Sequence, residues 1–234
     1  MDTAKRFYTE VTSPPVEGGY TIHLDGKPVR TPLGAALVLP VRALAEAIAA
    51  EWQAQGETID PASMPLGGYA NTAIDRVGNE RQIVMANMMQ FAETDTLCYR
   101  TEEPAELANR QYEQWQPILD WVDETFGAPL TVTSGVLHVV QPDKSLQALR
   151  GHVEQLDDME FTALASLAAV TGSFSLALAL AENHVDTEKA FQLAQLDEVF
   201  QRERWGRDAE AEVREQQLKS DLSSTVLFLA LLRQ

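Results

Sequence analysis

The stretch FTALASLAAVTGSFSLALALA, residues 161–181, decides whether this chain spans a membrane or builds a helical core. Its length alone would be enough to cross a bilayer. However, Thr171-Gly172-Ser173 lies at its middle, and a Gly followed by a Ser commonly ends one helix and caps the next. The flanks are acidic and offer no nearby Lys or Arg to anchor a span: Asp157, Asp158, Glu160 and Glu182. We therefore predict two short buried helices joined by a tight turn.

The pattern on either side of this stretch changes along the chain. From residue 145 to the end only helical patterns are found, whereas residues 18–40, GGYTIHLDGKPVRTPLGAALVLP, alternate apolar and polar side chains around two turns. Asp25-Gly26 and Pro32-Leu33-Gly34 provide those turns. Between these regions the sequence predicts four further segments: a helix that carries Trp52 on its apolar face, a helical region over 66–93 interrupted at 77–79, a helix from Pro104 to Gly127, and an extended segment ending at Pro142.

The predicted fold class is α+β, with a β-containing N-terminal domain that holds a few helices and an all-α domain after it. We place the first domain at residues 1–130 and the mainly helical domain at 131–234, with the boundary between 100 and 145.

Charge and composition exclude several classes of partner. The 234 residues include 18 basic and 35 acidic side chains, a net charge of −17, and 45% are hydrophobic. Such a chain buries a core, but its surface repels nucleic acid and anionic membranes. A single cysteine rules out an internal disulfide. The N-terminus MDTAKRFYTEV lacks a secretory signal, which favours a bacterial cytoplasmic protein or a processed organellar one.

Reactive side chains are concentrated in FAETDTLCYR, residues 91–100. Glu93 and Asp95 could form a general acid/base pair if burial separated their pKa values. Cys98 is a poor nucleophile, because neighbouring carboxylates raise the pKa of its thiol. The alternative is structural, with Asp95 and Arg100 paired at the end of a helix. The four histidines are scattered and no glycine-rich phosphate loop is present, so we predict neither a metal nor a cofactor.

Six motifs occur in order through the chain: KRFY at 5–8, LDGKPVRTP at 24–32, AEAIAAEWQAQGETIDP at 45–61, DTLCYR at 95–100, QWQPILDW at 114–121 and RWG at 204–206. Together they resemble the assembly chaperones of the F-type ATP synthase catalytic sector that handle the α subunit, a mitochondrial and alphaproteobacterial family. The resemblance covers nearly the whole chain. It implies a β-containing domain followed by a helical one, no catalytic residues, and an activity that holds the new α subunit until the β subunit replaces it.

The resemblance also directs attention to the late segment WGRDAEAE, because members of the family tend to carry a glutamate a few residues after Trp-Gly. Asp208 and Glu210 both fit that position. On a continuous helix, Trp205, Asp208 and Glu212 would share one face. The partner-binding residues predicted from the sequence are Trp52, Asp95, Arg100, Trp205, Asp208, Glu210 and Glu212. Trp52 and Trp205 could equally belong to the core.

Two alternatives to an ATP synthase chaperone remain at this stage. One is a small-molecule enzyme that uses Glu93 and Asp95; the other is an adaptor that binds a different oligomeric complex through its helical half. An enzyme would show a pocket around carboxylates of raised pKa, whereas a chaperone would show a broad, shallow surface. The chaperone is expected to be a monomer of the bacterial cytoplasm, or of the mitochondrial matrix in a eukaryote.

Overall fold

The structure, a computed structural model, describes residues 4–135, 137–206 and 209–234, without the side chains of residues 209 and 210. These residues form two units. Unit 1 contains the chain up to Arg81 together with Asp157–Ala163 and Ser224–Gln234, and unit 2 contains Gln82–Leu156 and Leu164–Ser223. The α+β class predicted from the sequence is confirmed.

The two units do not follow the predicted division at residues 130 and 131. The chain leaves unit 1 after Arg81 and returns to it twice, because later aromatic residues complete its core. The ring centroids of Tyr69 and Phe228 lie 5.5 Å apart. The Arg81 guanidinium carbon lies 4.4 Å from the centroid of the Phe161 ring. A cut at one point of the sequence cannot describe such an arrangement.

Five short strands occupy the start of unit 1: β1 (Val11–Thr12), β2 (Pro15–Val16), β3 (Gly19–Tyr20), β4 (His23–Leu24) and β5 (Lys27–Pro28). They form an antiparallel sheet in the order β1-β4-β5 and a separate β2-β3 hairpin. Asp25 and Gly26 connect β4 to β5 with φ angles of 48° and 77°, as the predicted tight turn requires. The second predicted turn also forms, where the Gly34 amide donates to the Thr31 carbonyl over 2.8 Å.

Two helices follow the strands in unit 1, α1 (Arg42–Gln53) and α2 (Pro65–Thr72). Glu51 of α1 caps α2, because its carboxylate accepts from the backbone amides of Leu66 and Gly67 at 2.8 Å each. A π-helical turn over Ala73–Val77 leads into α3 (Gly78–Glu93), where Glu80 has non-helical angles. The interruption predicted at residues 77–79 is therefore confirmed.

Helices dominate the remainder of the chain: α4 (Ala105–Phe126), α5 (Asp143–Val153), α6 (Asp158–Thr171), α7 (Phe174–Ala181), α8 (Thr187–Ala194), α9 (Leu196–Trp205) and α10 (Ala209–Leu232). Gly127, in the left-handed conformation, ends α4 as predicted. The extended segment contributes a short strand, β7 (Thr133–Ser134), which pairs in parallel with β6 (Tyr99–Arg100). Trp115 of α4 is buried in unit 2 and donates its indole hydrogen to the Leu193 carbonyl over 2.9 Å.

The apolar stretch forms two helices, as the sequence predicts. Gly172 adopts a φ of 66° after α6, and Ser173 caps α7 by accepting from the Leu176 amide over 3.0 Å. Every residue of α7 is buried. Within the described residues, no helix combines the length and apolar character needed to cross a membrane.

Candidate functional site

Asp95 lies in the turn between α3 and β6, and its side chain is fully buried, with an exposed fraction of 0%. Its Oδ1 atom accepts from the Leu97 amide over 3.0 Å, and its Oδ2 atom accepts from the Ser175 amide over 2.8 Å. Burial raises the pKa of this carboxyl group, while these hydrogen bonds oppose the rise. Asp95 thus joins the turn after α3 to the first turn of α7.

Arg100 lies on the other side of the same turn and is also buried. Its Nε atom donates to the Leu97 carbonyl over 2.8 Å, and its Nη1 atom donates to the Gln111 carbonyl. Asp95 and Arg100 therefore do not form the predicted direct pair. Both bond Leu97 instead: Asp95 accepts from its amide, and Arg100 donates to its carbonyl. Burial also disfavours the predicted contact of either side chain with a partner.

The remaining reactive groups of this segment do not assemble an acid/base site. Glu93 is exposed, whereas Asp95 is enclosed, so a small molecule that contacts Glu93 does not reach Asp95. Burial, with a smaller contribution from the charge of Asp95, raises the pKa of the Cys98 thiol to about 12. A protonated, buried thiol is a poor nucleophile. This geometry gives no support to the enzyme alternative.

The late segment is two helices rather than one. Helix α9 ends at Trp205, Gly206 adopts a φ of 91°, and α10 begins at Ala209. The predicted single helical face through Trp205, Asp208 and Glu212 is therefore wrong, because the left-handed glycine breaks the helical spacing on which it rested. Asp208 lies outside the described residues, as does the side chain of Glu210, and Glu212 is exposed on α10.

Trp205 itself is 78% exposed, although an indole ring is mostly apolar. It lines a cleft of ≈ 530 Å³ in unit 2, which we call the Trp205 cleft. Arg202 of α9 and Glu215 of α10 form an ion pair within this lining, and Leu218 contributes an apolar side chain. An exposed aromatic side chain beside charged groups is typical of a protein-binding surface.

Ion pairs hold α9 against α4 in the same unit. Arg110 bonds Glu203 at 2.7 Å, and Arg204 bonds Glu106 at 3.0 Å. The guanidinium carbon of Arg204 also lies 4.4 Å from the centroid of the buried Phe200 ring. These pairs were not predicted from the sequence, because they join helices about 90 residues apart, although the charges of ERERW before Gly206 were a visible signal.

Trp52 lies at the surface of unit 1, where it is half-buried. Its ring packs edge-on against Tyr8 at a centroid distance of 5.7 Å, and the Tyr8 hydroxyl donates to the Trp52 carbonyl over 2.7 Å. One part of the indole therefore packs against Tyr8 and another is accessible, and its contact with a partner stays a prediction.

Among residues 4–135, 137–206 and 209–234, no three His, Cys, Asp or Glu side chains are grouped so that they could hold a metal ion.

Comparison with known proteins first shows the class of protein to which the chain belongs. Residues 5–123 match the family described as ATP12 chaperone protein. The chain is therefore an assembly chaperone.

The particular family follows from the same match, which covers half of the chain. The chain belongs to the ATP12 chaperone family, the F-type ATP synthase assembly chaperones that the six motifs resemble. The recognition made from the sequence is confirmed.

Similar proteins agree over the whole length. The crystal structure of Atp12 from Paracoccus denitrificans has 41% sequence identity and a TM-score of 0.93, and the match covers 98% of this chain and 99% of that one. The mitochondrial atp12 protein of Schizosaccharomyces pombe is 24% identical over 95% of this chain and 81% of its own length. The mitochondrial ATP12 protein of Saccharomyces cerevisiae is 23% identical, and the match covers 87% of this chain and 77% of that protein.

Proposed function

We propose that this protein binds the unassembled α subunit of ATP synthase and prevents its aggregation until the β subunit replaces it. The proposal extends family membership to a particular client. The observation that supports it is the 78% exposed Trp205 beside the Trp205 cleft. We further propose that the protein acts by binding alone and is not an enzyme.

A chaperone of this kind must cover an apolar surface and later release it. An unassembled subunit exposes the surface meant for its neighbour, and large exposed apolar patches promote association with wrong partners. An aromatic anchor contributes much of the binding energy, while a polar rim stays solvated and permits release. Trp205 among the paired charges of Arg202, Glu215 and their neighbours fits this description.

The net charge of the protein also supports binding to a client. An acidic surface attracts basic groups of a client and speeds their encounter. Two acidic molecules of charge −17 repel each other, so we expect the free chaperone to be a monomer. We expect it to act in the bacterial cytoplasm, or in the mitochondrial matrix of a eukaryote; the two yeast relatives are named as mitochondrial proteins.

The test is light scattering during refolding of isolated α subunit, without nucleotide or metal. Wild-type protein in roughly stoichiometric amounts should suppress scattering. Trp205→Ala should weaken binding by at least about fivefold, the loss of about 1 kcal/mol or more expected of an interface anchor. Tyr112→Ala is the matched control, since Tyr112 is 67% exposed on α4 of the same unit.

Both variants remove exposed side chains, so their melting temperatures should stay close to that of the wild type. Unchanged scattering at excess wild-type protein, or a strict requirement for ATP, would exclude the proposed function. Equal binding by Trp205→Ala and the wild type would exclude the Trp205 cleft as the contact.

A further inference from the structure

A second surface in unit 1 has the features of a peptide-binding site. Two adjoining clefts of ≈ 420 and ≈ 270 Å³ share Val29, Arg30 and Trp52 as lining residues. We call the two together the Trp52 groove. All of its lining residues belong to unit 1, so the groove is distinct from the Trp205 cleft of unit 2.

Apolar side chains form most of the wall of the Trp52 groove: Phe7, Pro28, Val29, Leu37, Ile59 and Met64. Phe7 is 71% exposed, which is unusual for so large an apolar side chain. Tyr8 holds Trp52 in place, because its ring packs against the indole and its hydroxyl donates to the Trp52 carbonyl. The groove is thus rigid at its centre and apolar at its rim, as preformed binding sites are.

Helix α2 provides the other wall and leaves space along it. Gly67 and Gly68 line the groove, and a Cβ atom added at Gly68 would meet nothing within 4 Å. The missing side chain at Gly68 allows the backbone of a ligand to approach closely. Asn71, about one turn later, also lines the groove.

Charge indicates which kind of segment would bind. Lys27 and Arg30 lie in the lining, and neither forms a salt bridge with a described residue. The acidic residue beside them, Asp25, keeps its negative charge, although its Oδ1 atom accepts from the Thr9 and Glu10 amides at 3.0 and 2.8 Å. Two cations and one carboxylate give the lining a net positive charge, on a chain of net charge −17. A carboxylate on the ligand would complement it.

We infer that the Trp52 groove binds an extended segment of the client, with apolar side chains and at least one Asp or Glu. The inference rests on the proposed function, because it takes the client to be the α subunit. The groove would be a second contact with the client, in unit 1 and not in unit 2. It would bind acidic groups of the client, whereas the acidic surface attracts basic ones. A second copy of this chain is a poorer occupant, since two molecules of net charge −17 repel each other.

Two variants test the groove by affinity for isolated α subunit. Gly68→Leu should weaken binding about tenfold or more, because its Cβ atom has open space and the added side chain would fill part of the groove. Lys27→Glu should weaken binding several-fold at low salt and much less at 0.5 M salt, because salt screens the charge. Lys144→Glu, the same change at an exposed lysine of unit 2, should have a smaller effect.

Crosslinking identifies the bound segment. Phe7 is replaced by p-benzoylphenylalanine, which preserves an aromatic side chain at the rim, and Tyr112 is replaced in the same way as a control. Irradiation with α subunit should yield, from position 7, one client peptide that is apolar and contains Asp or Glu. Crosslinks to a basic peptide, to many sites or to a second chaperone would overturn the inference.

The two proposals fail in different ways. If the wild type binds the α subunit but Gly68→Leu and Lys27→Glu bind equally well, the groove inference fails and the proposed function stands. If the wild type does not bind the α subunit at all, both fail.

Discussion

At the scale of single residues, the segment from Glu93 to Arg100 uses reactive side chains to satisfy the backbone. The turn after α3 leaves peptide groups without helical partners, and buried peptide groups must be paired. Asp95 and Arg100 fulfil this need by holding the amide and the carbonyl of Leu97. Hydrogen bonds to backbone groups thus accompany the burial of both side chains.

Replacing Cys98 distinguishes a packing role of its side chain from a chemical role of its thiol. Replacing its buried side chain in Cys98→Ala should cost about 1 kcal/mol of unfolding free energy at pH 7 and leave client protection nearly intact. The folded thiol has a pKa of about 12, against an ordinary value of 9.0. As the pH rises above 9 the unfolded thiol ionises while the buried one stays protonated, so wild-type stability is lost progressively towards pH 12.

The slope of that loss approaches about 1.4 kcal/mol per pH unit once the unfolded thiol is mostly ionised. Groups shared by both proteins cancel in the comparison, so the stability of the wild type relative to Cys98→Ala should fall by about 1 kcal/mol between pH 9 and 10. Urea unfolding at pH 7, 9 and 10 measures it. Parallel pH profiles would contradict the buried, neutral thiol, and loss of client protection in a normally folded Cys98→Ala would restore a thiol mechanism.

At the scale of elements, glycines in the left-handed region end several of the helices. Gly127 follows α4, Gly172 separates α6 from α7, and Gly206 separates α9 from α10. The effect of Gly172 was visible from the sequence because Ser173 follows it as a cap. Gly206 is followed two positions later by Asp208, a residue type that commonly caps a new helix, but a continuous helix was expected there.

Gly172→Ala tests the importance of such a glycine. The φ of 66° is strained for alanine, and the added Cβ would lie 3.2 Å from Thr96 Oγ1, which also donates to the Gly172 carbonyl over 2.7 Å. We expect a loss of about 1–2 kcal/mol in unfolding free energy. Gly151→Ala in α5 is the control, because open space surrounds its Cβ and alanine favours the helix by about 0.5–1 kcal/mol. Equal stabilities of the two variants in urea would contradict this account.

At the scale of the whole molecule, we expect charge distribution to influence how the chaperone meets a client. A net charge of −17 produces a field that extends about a Debye length, roughly 10 Å at 0.1 M salt. Such a field acts on the approach of a basic surface more than on the complex once formed. Charge should therefore control the association rate, and apolar contacts at Trp205 should control dissociation.

The corresponding prediction concerns association with the α subunit at two salt concentrations. Raising salt from 0.05 to 0.5 M should slow association about tenfold or more and change dissociation much less. Asp208→Lys with Glu210→Lys should also slow association, more so at low salt, while stability stays within about 1 kcal/mol. Stopped-flow mixing of labelled α subunit measures both rates, and a salt-independent association rate would contradict steering.

The sequence alone determined the features that depend on neighbouring residues. The break of the apolar stretch at Gly172, the Asp25-Gly26 turn and the end of α4 at Gly127 each follow from a residue and its immediate flanks. The same local character let six ordered motifs identify the family. Helix and turn propensities act over a few residues, so one sequence suffices to read them.

Tertiary structure alone decided what each side chain contacts. Asp95 meets Ser175, 80 positions later, and Arg110 meets Glu203 across 93 positions. Phe228 completes the core around Tyr69, which is why unit 1 gathers three separate segments. Burial also placed Asp95 inside and left Trp205 outside, although both had been predicted to bind a partner. Burial and pairing depend on residues far apart in the chain, and no local pattern encodes which of them meet.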